Sequence, residues 1–164
     1  MTTFKNSQGL TLSVVFMRIF IGWHFLYEGV IKAYNPEWTS KGYLASAEGW
    51  FQGFFQWLST DGLVGTVDTL NIVVLLFVGF TLVLGVLEKP GAIAGILLLF
   101  MYYLAHPAFP GMNPGVAEGS YWIINKNLIE LAALAVLFHA PTGSVFGLDR
   151  LFKARSNELK TSES

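Results

Sequence analysis

Apolar residues in this chain gather into four long runs separated by polar stretches. The first, Leu10 to Ile31, is interrupted by Arg18, His24 and Glu28. The second, Leu70 to Leu87, carries no charge at all. The third, Gly91 to His106, is the shortest and follows Pro90, a residue type favoured in the first helical turn. The fourth, Tyr121 to Ala140, contains Asn125, Lys126, Asn127 and Glu130. A membrane span needs about 17–25 residues, so the first, second and fourth runs qualify. The third reaches only roughly 24 Å and must thin the bilayer or sit against the other helices. This pattern predicts an all-α fold: a four-transmembrane-helix bundle over 10–152, between a polar N-terminus (1–9) and a polar tail (153–164).

The first run is too long and too charged for the apolar region of a signal peptide, so it is expected to be retained. Glu88-Lys89-Pro90 is the only break between the second and third runs and predicts an antiparallel hairpin. The loop from Ala33 to Thr69 is long, and such loops carry structure or function of their own. Within it, Trp50, Phe54 and Trp57 recur at helical spacing, with Gln52 and Gln56 on the remaining face. That predicts an amphipathic segment lying in the outer interface. Thr60 or Asp61 is placed to cap the following helix. APTGSVFGLDRLF reads as a turn and a short cytoplasmic helix. Placing both termini inside puts Lys5, Lys89, Arg150, Lys153, Arg155 and Lys160 in the cytoplasm, against Lys32, Lys41 and Lys126 outside. Basic residues accumulate on the cytoplasmic side, so N-in and C-in is the expected orientation.

Composition agrees. Of 164 residues, enough for one domain, 53% are apolar and 13% charged, and the mean hydropathy is +0.52. A soluble domain carries about 25% charged residues, so the lipid bilayer is the expected surrounding. A net charge of −1 offers no basic field for nucleic acid, and the hydrophobicity is too high for disorder. Cysteine is absent, which excludes disulfides, thiol nucleophiles and thiolate-held iron–sulfur clusters. No glycine-rich phosphate loop occurs, so no nucleotide site is read.

Ionisable residues inside a membrane helix mark candidate sites. His24, Glu28 and Lys32 follow i, i+4, i+8 spacing and share a stripe, and Arg18 falls within the same arc of about 120°. Gly22 and Gly29 lie close to that arc, where small residues admit a neighbouring helix. Counting the rise from each membrane surface places Arg18 and Glu130 both near the midplane, which predicts an ion pair between them. Asn125 and Asn127 lie at the depth of His24 and Glu28, and His106 ends the third run. The expectation is a ligand site in the outer half, with His24, Glu28 and His106 exchanging protons. Arg18, Lys32, Asn125, Asn127 and Glu130 would hold the ligand. Each feature also has a plainer reading: Arg18 and Glu130 as a brace, the stripe as a solvated rim, and His106 as a helix end. A haem held by His24 and His106, or a metal held by these two with Glu28, has only this weak pairing behind it.

The segment MRIFIGWHFLYEGVIKAYNPEW resembles the opening of the DoxX/DoxD membrane proteins: an Arg, a Gly–aromatic step, then Gly-x-x-Lys and a Trp. GYL, FFQWL, LNIVVLLFVGFTLVLGVLEKPGAIAGILLLFMYYLAH and YWIINKNLIELAALAVL continue the likeness, nearest to DoxD, from about Leu10 to Phe152. Glu28 stands where the family pattern has a small residue. The resemblance implies a four-helix bundle in a prokaryotic plasma membrane. It also implies association with thiosulfate:quinone oxidoreductase, a DoxA-like partner and electron transfer to quinone.

Two readings of different classes follow. One is a quinone-interacting subunit of a membrane oxidoreductase, whose electrons come from a partner subunit or a sulfur donor because the chain has no carrier of its own. The other is a non-catalytic scaffold or assembly protein, using the polar stripe as glue and the aromatic loop for docking. A homo-oligomer is compatible with either, and a small-solute carrier is a weaker third reading.

Overall fold

The computed structural model describes residues 8–112 and 122–151. The rest of the polar termini and the stretch 113–121, including Tyr121, lie outside the described residues, as do Lys5, Lys153, Arg155 and Lys160 of the charge comparison. The described residues form, in order, α1 (Gln8–Tyr34), α2 (Lys41–Ala45), α3 (Gln52–Leu58), α4 (Val64–Leu84), α5 (Glu88–Ala105), α6 (Lys126–His139) and α7 (Gly143–Phe146). No strand occurs among the described residues.

Helices α1, α4 and α5 are long and apolar enough to cross a membrane, with mean hydropathies of 1.6, 2.3 and 1.2. Phe16, Phe20, Trp23 and Tyr27 on α1, Leu70, Val73 and Phe80 on α4, and Leu97 and Phe100 on α5 are all exposed. Water would not tolerate so extensive an apolar surface, whereas lipid covers it without penalty. The chain is a membrane protein.

The hairpin is placed differently from the sequence expectation. Glu88, Lys89 and Pro90 form the first turn of α5, and the reversal occupies Gly85 to Leu87. Gly85 (φ 64°) and Leu87 (φ 52°) both take left-handed conformations there. Pro90 is compatible with the helix because donors in a first turn have no intrahelical acceptor to lose. The extra turn lengthens α5 to 18 residues, roughly 27 Å, so the short third run becomes long enough to span. Helix α4 begins at Val64, capped by neither Thr60 nor Asp61: the Thr60 hydroxyl bonds the Trp57 carbonyl, and Asp61 bonds Lys41.

The close approach of α1 to α4 comes from glycine. Buried positions Val15, Arg18, Gly22, Phe25 and Gly29 recur every three or four residues and form one face of α1. A Cβ on Gly22 would lie 2.9 Å from Leu82 Cβ, and one on Gly29 would lie 2.9 Å from Leu76 Cδ2. Opposite them, a Cβ on Gly79 would lie 2.6 Å from the Leu26 backbone. The role expected of Gly22 and Gly29 is thus met, with α4 as the neighbour. Helix α6 packs on α5, with Leu134 over Gly95, and its Leu134 and Leu137 join Phe25, Leu75, Val78, Leu82 and Leu99 in the main core. It has 14 residues, shorter than the fourth apolar run, because the chain turns at Trp122 (φ 66°) and the helix begins after Asn125.

A second core of Leu44, Ala47, Phe55 and Ala105 fastens α2 and α3 over the end of the bundle far from the Gly85 turn, here the distal end. Phe55 is buried, while Trp50, Phe51, Phe54 and Trp57 are exposed.

Candidate functional site

Beneath α2 at the distal end is a cavity of about 210 Å³. Its polar wall comes from α1 and α6. His24, Glu28 and Lys32 present their shared stripe, and Lys126, Asn127 and Glu130 face them from the first turns of α6. His24 Nε2 lies 3.7 Å from Glu130 Oε1, joining the two helices. One turn further along α1, Lys32 Nζ bonds Glu28 Oε2 at 2.5 Å and sits 5.5 Å from the Trp38 ring centre. Acids and bases therefore face one another, as a site of low dielectric requires. Phe25, Leu75 and Leu99 form an apolar floor.

The roof is fixed by hydrogen bonds. Asp68 of α4 accepts from the Ser40 backbone N–H (2.8 Å) and from its hydroxyl (2.5 Å), which holds the start of α2. Tyr43 donates its hydroxyl to the Tyr102 carbonyl at 3.1 Å. Asn71 Nδ2 donates to the Tyr102 hydroxyl at 2.6 Å, while the buried Asn71 Oδ1 has no hydrogen-bond partner among the described residues. Ser40, Tyr43, Asn71 and Tyr102 all line the cavity.

Of the site residues expected from sequence, His24, Glu28, Lys32, Asn127 and Glu130 line this cavity. The other three do not. His106 is buried behind Tyr43: its ring is 4.3 Å from the Tyr43 ring and its Nε2 is 3.0 Å from the Tyr43 carbonyl oxygen. It supports a wall residue and does not face the cavity. Asn125 is the N-cap of α6, its side chain accepting from the Leu128 N–H at 3.2 Å. That capping bond explains where α6 starts and how Asn127 and Glu130 come to face α1.

Arg18 lies near the opposite end of the bundle, and its expected pairing with Glu130 is not formed. Its Nη1 contacts Glu88 Oε1 at 2.5 Å and Thr142 Oγ1 at 2.9 Å, and Nη2 donates to the Phe146 carbonyl at 2.8 Å. The second Glu88 oxygen accepts from the Thr142 N–H at 2.8 Å. Side chains lean toward a helix's N-terminus, so a long arginine reaches back toward the Gly85 turn. Glu130 is left to pair with His24.

Sequence reasoning misses Glu88, which the run pattern assigns to a loop, and Asn71, hidden in an uncharged run. Lys126 belongs with the cavity too. Its i+4 relation to Glu130 is the available signal.

No curated protein and no solved structure matches this chain. The sequence pattern of the DoxX family matches residues 13–107, from the first turns of α1 past the end of α5. The α1 side of the cavity and its roof fall within that match, while Lys126, Asn127 and Glu130 lie beyond it. Most of the chain, including all three long apolar helices, thus follows one family pattern: it belongs to the DoxX family.

Proposed function

We propose that the chain is a DoxD-like, quinone-interacting subunit of a membrane oxidoreductase, with the distal cavity as the site for the quinone head. The observation that carries this reading is the facing of His24 and Glu130, 3.7 Å apart, across a cavity otherwise floored by apolar side chains. In this reading α6 completes a four-helix membrane bundle. Segment α3 lies in the outer interface, both termini are cytoplasmic, and the protein resides in a prokaryotic plasma membrane.

The donor set fits such a ring. A cavity of about 210 Å³ falls below the roughly 300–1,000 Å³ typical of drug-sized sites, so it suits a single small head group. Lys32 and Lys126 offer N–H donors toward carbonyl oxygens, and the unsatisfied amide oxygen of Asn71 offers an acceptor for a hydroxyl of the reduced ring. A bound quinone would supply a two-electron acceptor that also takes up two protons. His24 presents an imidazole nitrogen, a proton-transfer group, at the cavity wall. Glu130, its carboxylate 3.7 Å from His24 Nε2, faces the ring from α6 and offers a second group for proton exchange. Glu28 keeps Lys32 in place. His106 acts through Tyr43 as a positioning residue. Electrons come from a DoxA-like or other redox partner, or from a sulfur donor.

Mass spectrometry of the gently solubilised protein tests this reading. Stoichiometric quinone supports it. Absence of quinone together with a stable co-purifying protein would favour a scaffold instead.

A further inference from the structure

A second space adjoins the polar cavity. It has a volume of about 430 Å³ and runs between the distal parts of α4 and α5, roofed by Phe54, Phe55 and Leu58 of α3. Its walls are almost wholly apolar, and Leu70 (62% exposed) and Leu97 (59%) stand at its open side, on the surface that faces lipid. Four residues line both spaces: Ser40, Tyr43, Asn71 and Tyr102. The boundary is therefore the place where a polar chamber meets a greasy one. At that boundary lies the buried amide of Asn71, bonded to Tyr102 on one side and unsatisfied on the other. A buried amide oxygen without a partner is costly, and a ligand hydroxyl or N–H placed there would remove that cost.

We infer that the two spaces form one site for an amphiphile: the groove between α4 and α5 takes the isoprenoid chain of a quinone, and the Asn71 amide oxygen accepts from a hydroxyl of its reduced, quinol head beside the chain. This rests on the quinone reading of the polar cavity and adds the route and the chain. The groove is a side door to the bilayer, so a membrane-dissolved ligand reaches the polar cavity without passing through water. It suits a chain and not a second ring, because the walls offer few polar atoms to satisfy one. Tyr102 stands at that door, its hydroxyl accepting from Asn71 and its backbone carbonyl from Tyr43.

Calorimetric titration of the full-length protein in detergent under anaerobic, reducing conditions tests the inference, using a hydroquinone with a decyl chain and the same ring without it. Leu70→Trp and Leu97→Trp change exposed groove residues that the core does not need. In wild type the decyl compound should bind at least tenfold more tightly than the chainless one. In the two tryptophan variants that ratio should collapse toward one while the affinity for the chainless ring stays unchanged. Asn71→Leu should weaken both compounds about equally, by roughly tenfold, and keep the ratio. A ratio unaffected by the tryptophans, or absent from wild type, overturns the groove assignment and leaves the quinone reading standing. Failure of both compounds to bind overturns the two together. So does native mass spectrometry of the same sample showing a phospholipid and no quinone.

Discussion

Arg18 and Glu88 form a buried ion pair at 2.5 Å, each side chain 2% exposed, where α1 meets the first turn of α5. Thr142 and the Phe146 carbonyl complete the donor and acceptor set, so one guanidinium joins α1, α5 and the segment after α6. Removing one partner of a buried pair typically costs about 3–5 kcal/mol, because the other charge is left unpaired. Arg18→Ala and Glu88→Ala should each destabilise strongly, and the double variant should recover part of the loss. Arg18→Ala and Glu130→Ala should instead add independently. Unfolding in mixed micelles provides the readout. Strict additivity between Arg18 and Glu88 would contradict the pairing.

Gly79 is the tightest point between α4 and α1. A methyl there meets the Leu26 backbone at 2.6 Å, and backbone cannot rotate away. Gly79→Ala should cost about 1–3 kcal/mol, as overpacking does. Gly53 of α3 has nothing within 4 Å of the same construction, so Gly53→Ala should be neutral or stabilising, by up to about 1 kcal/mol. Equal effects of the two substitutions would refute the close-packing account.

Which parts of this arrangement are legible in the sequence follows from which physical signals are local. The stripe of His24, Glu28 and Lys32 is readable because helical period fixes it, and the small face at Gly22 and Gly29 for the same reason. Partner choice is not readable. The expected Arg18–Glu130 pair comes from counting rise along each helix axis. That count takes no account of an arginine side chain reaching toward its helix's N-terminus. Glu88 is hidden by the assumption that a Glu-Lys-Pro break is a loop, when such residues are equally suited to a first helical turn. Asn71 gives no signal, since a single amide in a run of Val and Leu has no period of its own.

Asp61 lies outside the membrane-spanning helices and bonds Lys41 Nζ at 2.5 Å, tying α2 to the turn before α4. That hydrogen bond, and then the Lys41 charge, hold its carboxyl below the ordinary 3.8. A lowered folded pKa means the bridge contributes fully above the unfolded value and is lost as pH falls through the folded one. Asp61 is exposed, so global stability should barely respond. The carboxyl carbon, followed by NMR, should titrate below 3.8 in wild type and move up in Lys41→Met. An unshifted wild-type midpoint would contradict the bridge.

His24 and His106 separate contact from support. His24→Ala should lower affinity for the chainless hydroquinone by roughly tenfold, about 1.4 kcal/mol, since the ring faces the cavity. His106→Ala should act only through Tyr43, and His106→Gln, which can retain a bond to the Tyr43 carbonyl, should restore affinity while His24→Gln should not. Equal and unrescued losses at both positions would place His106 against the ligand after all.

The most direct test of the cavity as a quinone site is photolabelling of the protein in its native membrane with an azidoquinone, mapped by peptide mass spectrometry. Label should fall on peptides containing His24 to Lys32 and Lys126 to Glu130, and excess unlabelled quinone should abolish it. Label confined to the exposed lipid-facing surface around Phe16 and Phe20, undiminished by competitor, would contradict the assignment.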